Sequence, residues 1–214
     1  MSKTVDMVFP VSGKRLHWDH SYALFGALSR VQPLIHEGEL GLGVFPINGL
    51  SAGNRALKLT ERSTLRLRVP SRMLADLMCL MGTTLEMDGD RVRLGNPQIE
   101  PLQATPRLFS PWVTLKEAEE PGVFVERLAQ DFERMEISGS FGLVAPKNQG
   151  SKDGGKGSRV EYIRRTRAIK GHAIVGFALM VQDLSEEESL RLQAEGIGGR
   201  RHFGGGLFRP AKGR

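Results

Sequence analysis

The residues in this sequence best suited to chemistry are five histidines and one glycine-rich stretch near the C-terminal end. An imidazole titrates at about pH 6.5, so His17, His20, His36, His172 and His202 are the side chains able to take up or release a proton near neutrality. His36 lies in a loop with glycines at 38, 41 and 43, where a polar ring can face a substrate. His20 opens a segment of helical pattern. There the positive end of the helix dipole favours a neutral imidazole able to accept a proton, and a packing role at the helix start fits the position equally well. His17 reads as a surface residue and His172 as a satisfied histidine in a strand. The stretch GIGGRRHFGGGLF at 196–208 places glycines around Arg200, Arg201 and His202. Gly198 and Gly199 put little bulk between the backbone and an approaching ligand, and exposed N–H groups beside two guanidinium groups make an anion-binding concavity. The spacing is neither GxGxxG nor GxxxxGKS, and the loop follows a helical segment where those motifs precede one. A polyphosphate backbone therefore suits it better than a nucleotide cofactor. His17 and His20 flank Asp19 without a second ligand pair, and Cys79 is the only cysteine, so neither a metal nor a cofactor is expected.

Elements must hold these groups in place. Residues 4–10 alternate apolar and polar side chains and predict a strand. Tyr22, Leu24, Phe25, Leu28, Val31 and Ile35 fall at helical spacing and predict a helix over 21–32 that stops at Pro33. Short strands follow at 42–47 and 64–69. A helix begins after Ser71 with Met73, Leu74, Leu77, Met78 and Met81 as its stripe, and Asp88-Gly89 marks a hairpin between 85–87 and 91–94. This β-α-β-β-α-β order is the ferredoxin-like plan. The second half repeats it: a strand at 108–115, a helix at 123–135, strands at 140–145, 160–169 and 173–181, a helix capped by Ser185 with Glu188 at the capping-box position, and a last strand at 207–209. The expected fold class is α+β, with tandem ferredoxin-like (RNA-recognition-motif-like) domains at 1–97 and 107–214, a linker at 98–106 and a C-terminal glycine-rich loop. One larger α+β domain is the alternative.

The net charge of +6 is unevenly spread. Residues 147–172 carry Lys147, Lys152, Lys156, Arg159, Arg164, Arg165, Arg167 and Lys170 against Asp153 and Glu161, which is +6, and residues 196–214 carry +5. The remainder of the chain is therefore −5. Two basic segments on an acidic scaffold predict a polyanion partner. The run 147–158 has no branched or aromatic side chain, so it reads as a flexible loop whose Lys152 and Lys156 can wrap phosphates or simply face solvent. With one cysteine, no signal-peptide pattern and no apolar run of about 20 residues, the expected location is the cytoplasm, away from any membrane.

Taken together, three blocks resemble a known family. A helix followed by GIGGRRHFGGGLF is similar to the glycine-rich loop of the RAMP superfamily, and specifically of the CRISPR-associated endoribonuclease six family. The runs DHSYALFGALS at 19–29 and LIHE at 34–37 resemble that family's first helix and the segment behind it. IKGHAIVGF at 169–177 with LSEEESL at 184–190 is similar to the subfamily of myxobacterial-type type I loci. The resemblance implies metal-independent cleavage of precursor CRISPR RNA within its repeats. In that reaction the ribose 2′-OH attacks the adjacent phosphorus and leaves a 2′,3′-cyclic phosphate and a 5′-OH. It implies His36 as the catalytic histidine, with His20 as the second candidate. Where many relatives carry a catalytic tyrosine on the first helix this sequence has Ser29, and Tyr22 lies two turns earlier; either could orient the 2′-OH. Lys170 or Arg30 could stabilise the phosphorane. Arg200 and Arg201, then Arg164, Arg165, Arg167 and Lys170, are the expected RNA contacts, because guanidinium forks grip phosphates bidentately. Trp18, Tyr22, Phe45 and Trp112 could stack unpaired bases, Trp18 being the one least suited to a core. The implied partners are CRISPR repeat RNA, precursor and mature, and other subunits of a type I effector complex. A non-catalytic repeat-binding subunit of such a complex is the alternative.

Overall fold

A computed structural model describes residues 3–36, 41–146 and 162–211. The loop bearing Lys147, Lys152, Lys156 and Arg159 lies outside them, as does Glu37. The chain forms two compact units. The first comprises residues 1–102 together with 168–171 and 200–204, and the second comprises 103–167, 172–199 and 205–214.

In the first unit, β1 (Thr4–Gly13), α1 (Ser21–Val31), β3 (Gly43–Val44), β6 (Thr64–Pro70), a short helix α2 (Leu74–Leu77) continued by a single turn on either side, and the hairpin of β7 (Thr84–Met87) and β8 (Asp90–Leu94) follow the predicted order. The fourth strand of the motif is β9 (Gln98–Pro101). It pairs antiparallel with β1, Asp6 opposite Glu100, so residues 98–101, expected in the linker, belong to a sheet. The physical reason is hydrogen bonding: one edge of β1 is available beside Val5 to Val8, and an extended proline-flanked segment satisfies it. Taken as first, second, third and fourth, β1, β3, β6 and β9 lie in the order second, third, first, fourth. The β7–β8 hairpin extends the sheet along the far end of β1. A separate three-stranded sheet, absent from the sequence expectation, is formed by β2 (Arg15–His17), β5 (Ala56–Lys58) and β4 (Leu50–Ser51).

The core of this unit is built from alternate strand residues, among them Met7, Phe9, Leu65, Leu67 and Val69, against Leu24 and Leu28 of α1 and Leu77 of α2. Buried within the sheet is an ion pair: Arg68 donates from Nε to Asp6 Oδ1 at 2.8 Å and from Nη2 to Asp6 Oδ2 at 2.9 Å. Phe45, considered as a base-stacking residue, lies buried under the Arg68 guanidinium, 5.1 Å from ring centroid to Cζ.

The second unit repeats the strand order. Its strands β10 (Leu108–Val113), β11 (Ser140–Leu143), β13 (His172–Gln182) and β14 (Arg209–Pro210) lie as β11-β13-β10-β14, again second, third, first, fourth, while β12 (Arg164–Ile169) pairs with β13. The fold is tandem ferredoxin-like. The last strand is Arg209–Pro210 rather than 207–209, because Leu207 and Phe208 turn into the core. Helix α3 (Pro121–Arg134) buries Phe124, Leu128 and Phe132. Helix α4 (Glu186–Glu195) starts with the predicted capping box: Ser185 Oγ accepts the Glu188 N–H and Glu188 Oε2 accepts the Ser185 N–H. The same carboxylate takes the Ser138 N–H at 2.5 Å, and these N–H donors, Ser138 first, hold Glu188 below the usual carboxylate range. No helix among the described residues is long and apolar enough to cross a membrane.

The glycine loop is bound to its own chain more tightly than its composition suggests. Gly199 N–H donates to Thr114 O, Gly206 N–H to Trp112 O, and Ile197 N–H to Gly206 O. A side chain at Gly198 would meet the Thr114 carbonyl, and one at Gly206, where φ is +61°, would meet the Ile197 carbonyl. Gly206→Ala is expected to cost about 2 kcal/mol or more, from the left-handed backbone and the overpacking together, read as a fall in the denaturation midpoint.

Candidate active site

Helix α1 presents Tyr22, Phe25, Gly26 and Arg30 along one side, and α1 is followed by a single helical turn, Pro33–His36, that brings His36 back beside it. The tip of the β12–β13 hairpin, with Lys170 and Gly171 both left-handed (φ +50° and +79°), supplies Ile169 and Lys170. The loop segment 200–204, also part of the first unit, supplies Arg200, His202 and Phe203. With Glu86, Met87 and Asp88 of the β7–β8 hairpin, these residues line a cleft of about 520 Å³.

Aromatic stacking sets its geometry. The Phe25 ring meets both histidines, 5.1 Å from His202 in a stacked arrangement and 5.7 Å from His36 in a tilted one. Phe203 meets Phe25 edge-on at 5.1 Å, and Tyr22 lies 5.9 Å from Phe203. Burial, then the positive charge of Arg201, then that of His36, push the His202 imidazole below its ordinary value, so it holds the neutral form at a pH where a free histidine is partly charged. The exposed His36 carries no such burial. Arg30 is fixed by donating from Nη2 to the Glu86 carbonyl at 2.8 Å. Arg30, Lys170 and Arg200 line a cleft that holds two carboxylates, Glu86 and Asp88. An acid-base ring pair next to three cations can move protons around a phosphodiester and stabilise the charge that develops on it.

Of the expected catalytic residues, the structure brings His36 and Tyr22 into this cleft. It does not bring His20. That ring is buried, donates from Nδ1 to the His17 carbonyl at 2.8 Å and accepts the Ile47 N–H on Nε2 at 3.0 Å, so both nitrogens are committed to the fold. Ser29 shares a helix face with Tyr22, two turns on, but its Oγ is buried without a hydrogen-bond partner and it does not line the cleft. Of the expected RNA contacts, Lys170, Arg200 and His202 line the cleft, while Arg201 is half-buried next to it in the same turn. Arg164 and Arg165 are exposed on β12 in the second unit, and Arg167 lies over the Trp112 ring at 4.4 Å. Trp112 is fully buried and donates to the Arg165 carbonyl, so it is a core residue. Gly198 packs closely against the Thr114 carbonyl, whereas Gly199 donates its N–H to that carbonyl and has open space where a side chain would stand. Lys152 and Lys156 lie outside the described residues.

Phe25, Phe203, Glu86 and Asp88 were not expected at a site. Phe25 was visible only as one of the apolar positions of α1, and nothing in its spacing says that its ring meets two histidines that lie far apart in the chain.

Residues 5–213 match the family model described as "Cas6 Crispr". A CRISPR-associated endonuclease Cas6 from Myxococcus xanthus (strain DK1622) is 40% identical over 206 residues, covering 96% of this chain and 81% of that protein. Among solved structures, "An RAMP protein binding different RNA substrates" superimposes with a TM-score of 0.69 at 10% identity, over 97% of this chain and all (100%) of that one. "CRISPR associated protein Cas6" superimposes with a TM-score of 0.67 at 8% identity, over 98% of this chain and 100% of the other. At these identities the structural likenesses speak for the fold.

Proposed function

The chain belongs to the Cas6 family, and from that premise we propose that it is an endoribonuclease that cuts precursor CRISPR RNA within its repeats. The observation that carries this reading is the cleft in which His36, Tyr22, Lys170, Arg200 and His202 meet, five residues drawn from three separated stretches of sequence. The 2′-oxygen of the nucleotide before the cut attacks phosphorus, the P–O5′ bond breaks, and the products carry a 2′,3′-cyclic phosphate and a 5′-OH. His36 exchanges the proton that this displacement moves from the 2′-OH to the leaving O5′. Tyr22 orients the 2′-OH by hydrogen bonding, and Lys170 with Arg30 neutralises the phosphorane. Arg200 and Arg201 hold phosphates and His202 contacts the RNA beside them, with Arg164, Arg165 and Arg167 as further basic contacts. No step requires a metal ion. The mature product stays bound as part of a type I effector assembly in the cytoplasm.

Labelled repeat RNA incubated with the protein in EDTA tests the reading. Cleavage at one site, with 2′,3′-cyclic phosphate and 5′-OH ends, is the expected result; tight binding with the RNA left intact would instead make the protein a non-catalytic repeat-binding subunit. In the same system, the double variant Arg200→Ala, Arg201→Ala should weaken repeat binding and lower the slope of log affinity against log salt by about one for each phosphate that the variant no longer grips. An unchanged slope would move the phosphate site elsewhere.

A further inference from the structure

In an in-line displacement at phosphorus the attacking O2′ and the leaving O5′ lie on opposite sides of the reacting atom, so one imidazole does not reach both. The cleft holds a second imidazole. His202 stands in a single helical turn, Arg201–Phe203, closed by hydrogen bonds from the Phe203 N–H to the Arg200 carbonyl at 2.8 Å and from the Gly204 N–H to the Arg201 carbonyl at 3.1 Å. Arg200 and Gly204, which flank the turn, are both left-handed, with φ of +67° and +83°. Phe25 of α1 holds this turn from outside: Phe203 meets it edge-on, His202 stacks on it at 5.1 Å, and His36 approaches the same ring at 5.7 Å. One phenyl ring thus touches both imidazoles that line the cleft.

Among the described residues neither of these two rings has a hydrogen-bond partner, so both keep nitrogens to offer a substrate; His20, by contrast, commits both of its own. The surrounding charges favour a single proton on the pair. The turn itself brings Arg200 and Arg201 to His202, α1 brings Tyr22 and Arg30, and the tip of the β12–β13 hairpin brings Lys170. The β7–β8 hairpin brings Glu86, which Arg91 engages at 3.3 Å, and Asp88. Burial, Arg201 and His36 together disfavour a positive charge on His202. One protonated and one neutral ring is the state that mutual repulsion favours, and it is the state that acid-base catalysis needs.

We propose that His202 is a second catalytic residue, which takes the proton from the 2′-OH while His36 gives one to the leaving O5′. The inference rests on the RNA-processing reading and divides between two rings the proton transfer assigned there to His36. As O2′ forms its bond to phosphorus, its proton passes to His202. As the P–O5′ bond breaks, His36 supplies the proton that completes the 5′-OH. Each turnover leaves His202 charged and His36 neutral, and exchange with solvent restores both.

Single-turnover cleavage at saturating protein, followed against pH, tests this. The wild type is expected to give a bell-shaped profile. Its acid limb, along which the rate rises as His202 loses its proton, should lie below the range of a free histidine. His202→Gln keeps a hydrogen-bonding side chain that cannot act as a base, and His202→Phe keeps a ring against Phe25. Both should lose the acid limb and cut about 10²- to 10⁴-fold more slowly at saturation, while His202→Gln binds a repeat with a 2′-deoxy nucleotide at the cut as tightly as the wild type does. A repeat with sulfur in place of the bridging O5′ separates the two roles, because a thiolate leaves without a proton. On that substrate His36→Ala should return to near the wild-type rate and the His202 variants should stay slow. Wild-type rates in both His202 variants, or a loss in His202→Gln confined to affinity, overturns the proposal. So does sulfur rescue of the His202 variants in place of His36→Ala. If the wild type cuts the repeat in those cases, the RNA-processing reading stands; a wild type that leaves the repeat intact overturns both.

Discussion

Replacing His36 with alanine is expected to lower single-turnover cleavage of repeat RNA by about 10²- to 10⁴-fold, the range in which a positioned proton donor or acceptor contributes. The fold should be indifferent to the change. His36 is exposed at the end of a single helical turn, and its main ring contact is a tilted approach to Phe25, so the stability cost should stay within about 0.5 kcal/mol. His20→Ala makes the contrast. That buried ring bridges the His17 carbonyl and the Ile47 N–H, so its removal takes the partner from a buried N–H donor and should lower the denaturation midpoint before it touches chemistry. A second readout belongs to the same variant. Part of what depresses the His202 imidazole is the positive charge of His36, so in His36→Ala an NMR titration should find His202 moved back toward its ordinary value, with burial and Arg201 still holding it below. Cleavage by His36→Ala at the wild-type rate would remove His36 from the mechanism.

Breaking the buried ion pair of the first sheet should have the largest effect on stability. Asp6 and Arg68 face each other directly across β1 and β6, are 5% and 1% exposed, and share two hydrogen bonds. Asp6 also accepts from Arg66 Nη1 at 2.9 Å, and Arg66 reaches on to Glu100 of β9 at 2.7 Å. Asp6→Ala takes two hydrogen bonds from the buried Arg68 guanidinium and one from Arg66. Removing one partner of a buried ion pair costs about 3–5 kcal/mol, which for a chain of this size is a fall in melting temperature on the order of 10 °C. The double variant Asp6→Leu, Arg68→Met should recover most of that loss, since a buried pair contributes little over apolar residues of similar volume. Thermal denaturation of the two variants side by side checks this. If Asp6→Ala costs less than about 1 kcal/mol, water or a neighbouring group is compensating Arg68.

Much of the architecture was legible because its signals are local. The Asp88-Gly89 turn, the Ser185 capping box and the apolar stripes of α1 and α3 follow from backbone conformation and side-chain spacing a few residues long, and the structure has each of them. The strand β9 was missed because its partner is the edge of β1, ninety-odd residues away, and three prolines in and around it read as a linker. The small sheet of β2, β5 and β4 was missed for the same reason: strands of two or three residues carry almost no period to detect.

By itself, then, the sequence determined the tandem ferredoxin-like order, the basic late segments and a short set of proton-transfer candidates, all of them properties of composition and local spacing. Only the tertiary structure decided which candidates meet. His36 and His20 are the first and second candidates near one helix; His20 is consumed by two backbone hydrogen bonds, while His36 faces a cleft. The grouping of segments 168–171 and 200–204 with the first unit brings Lys170, Arg200 and His202 to Tyr22 and His36. That juxtaposition depends on contacts between residues far apart in the chain, and the energy that selects them is packing around Phe25 and Phe203, which has no signature in sequence order.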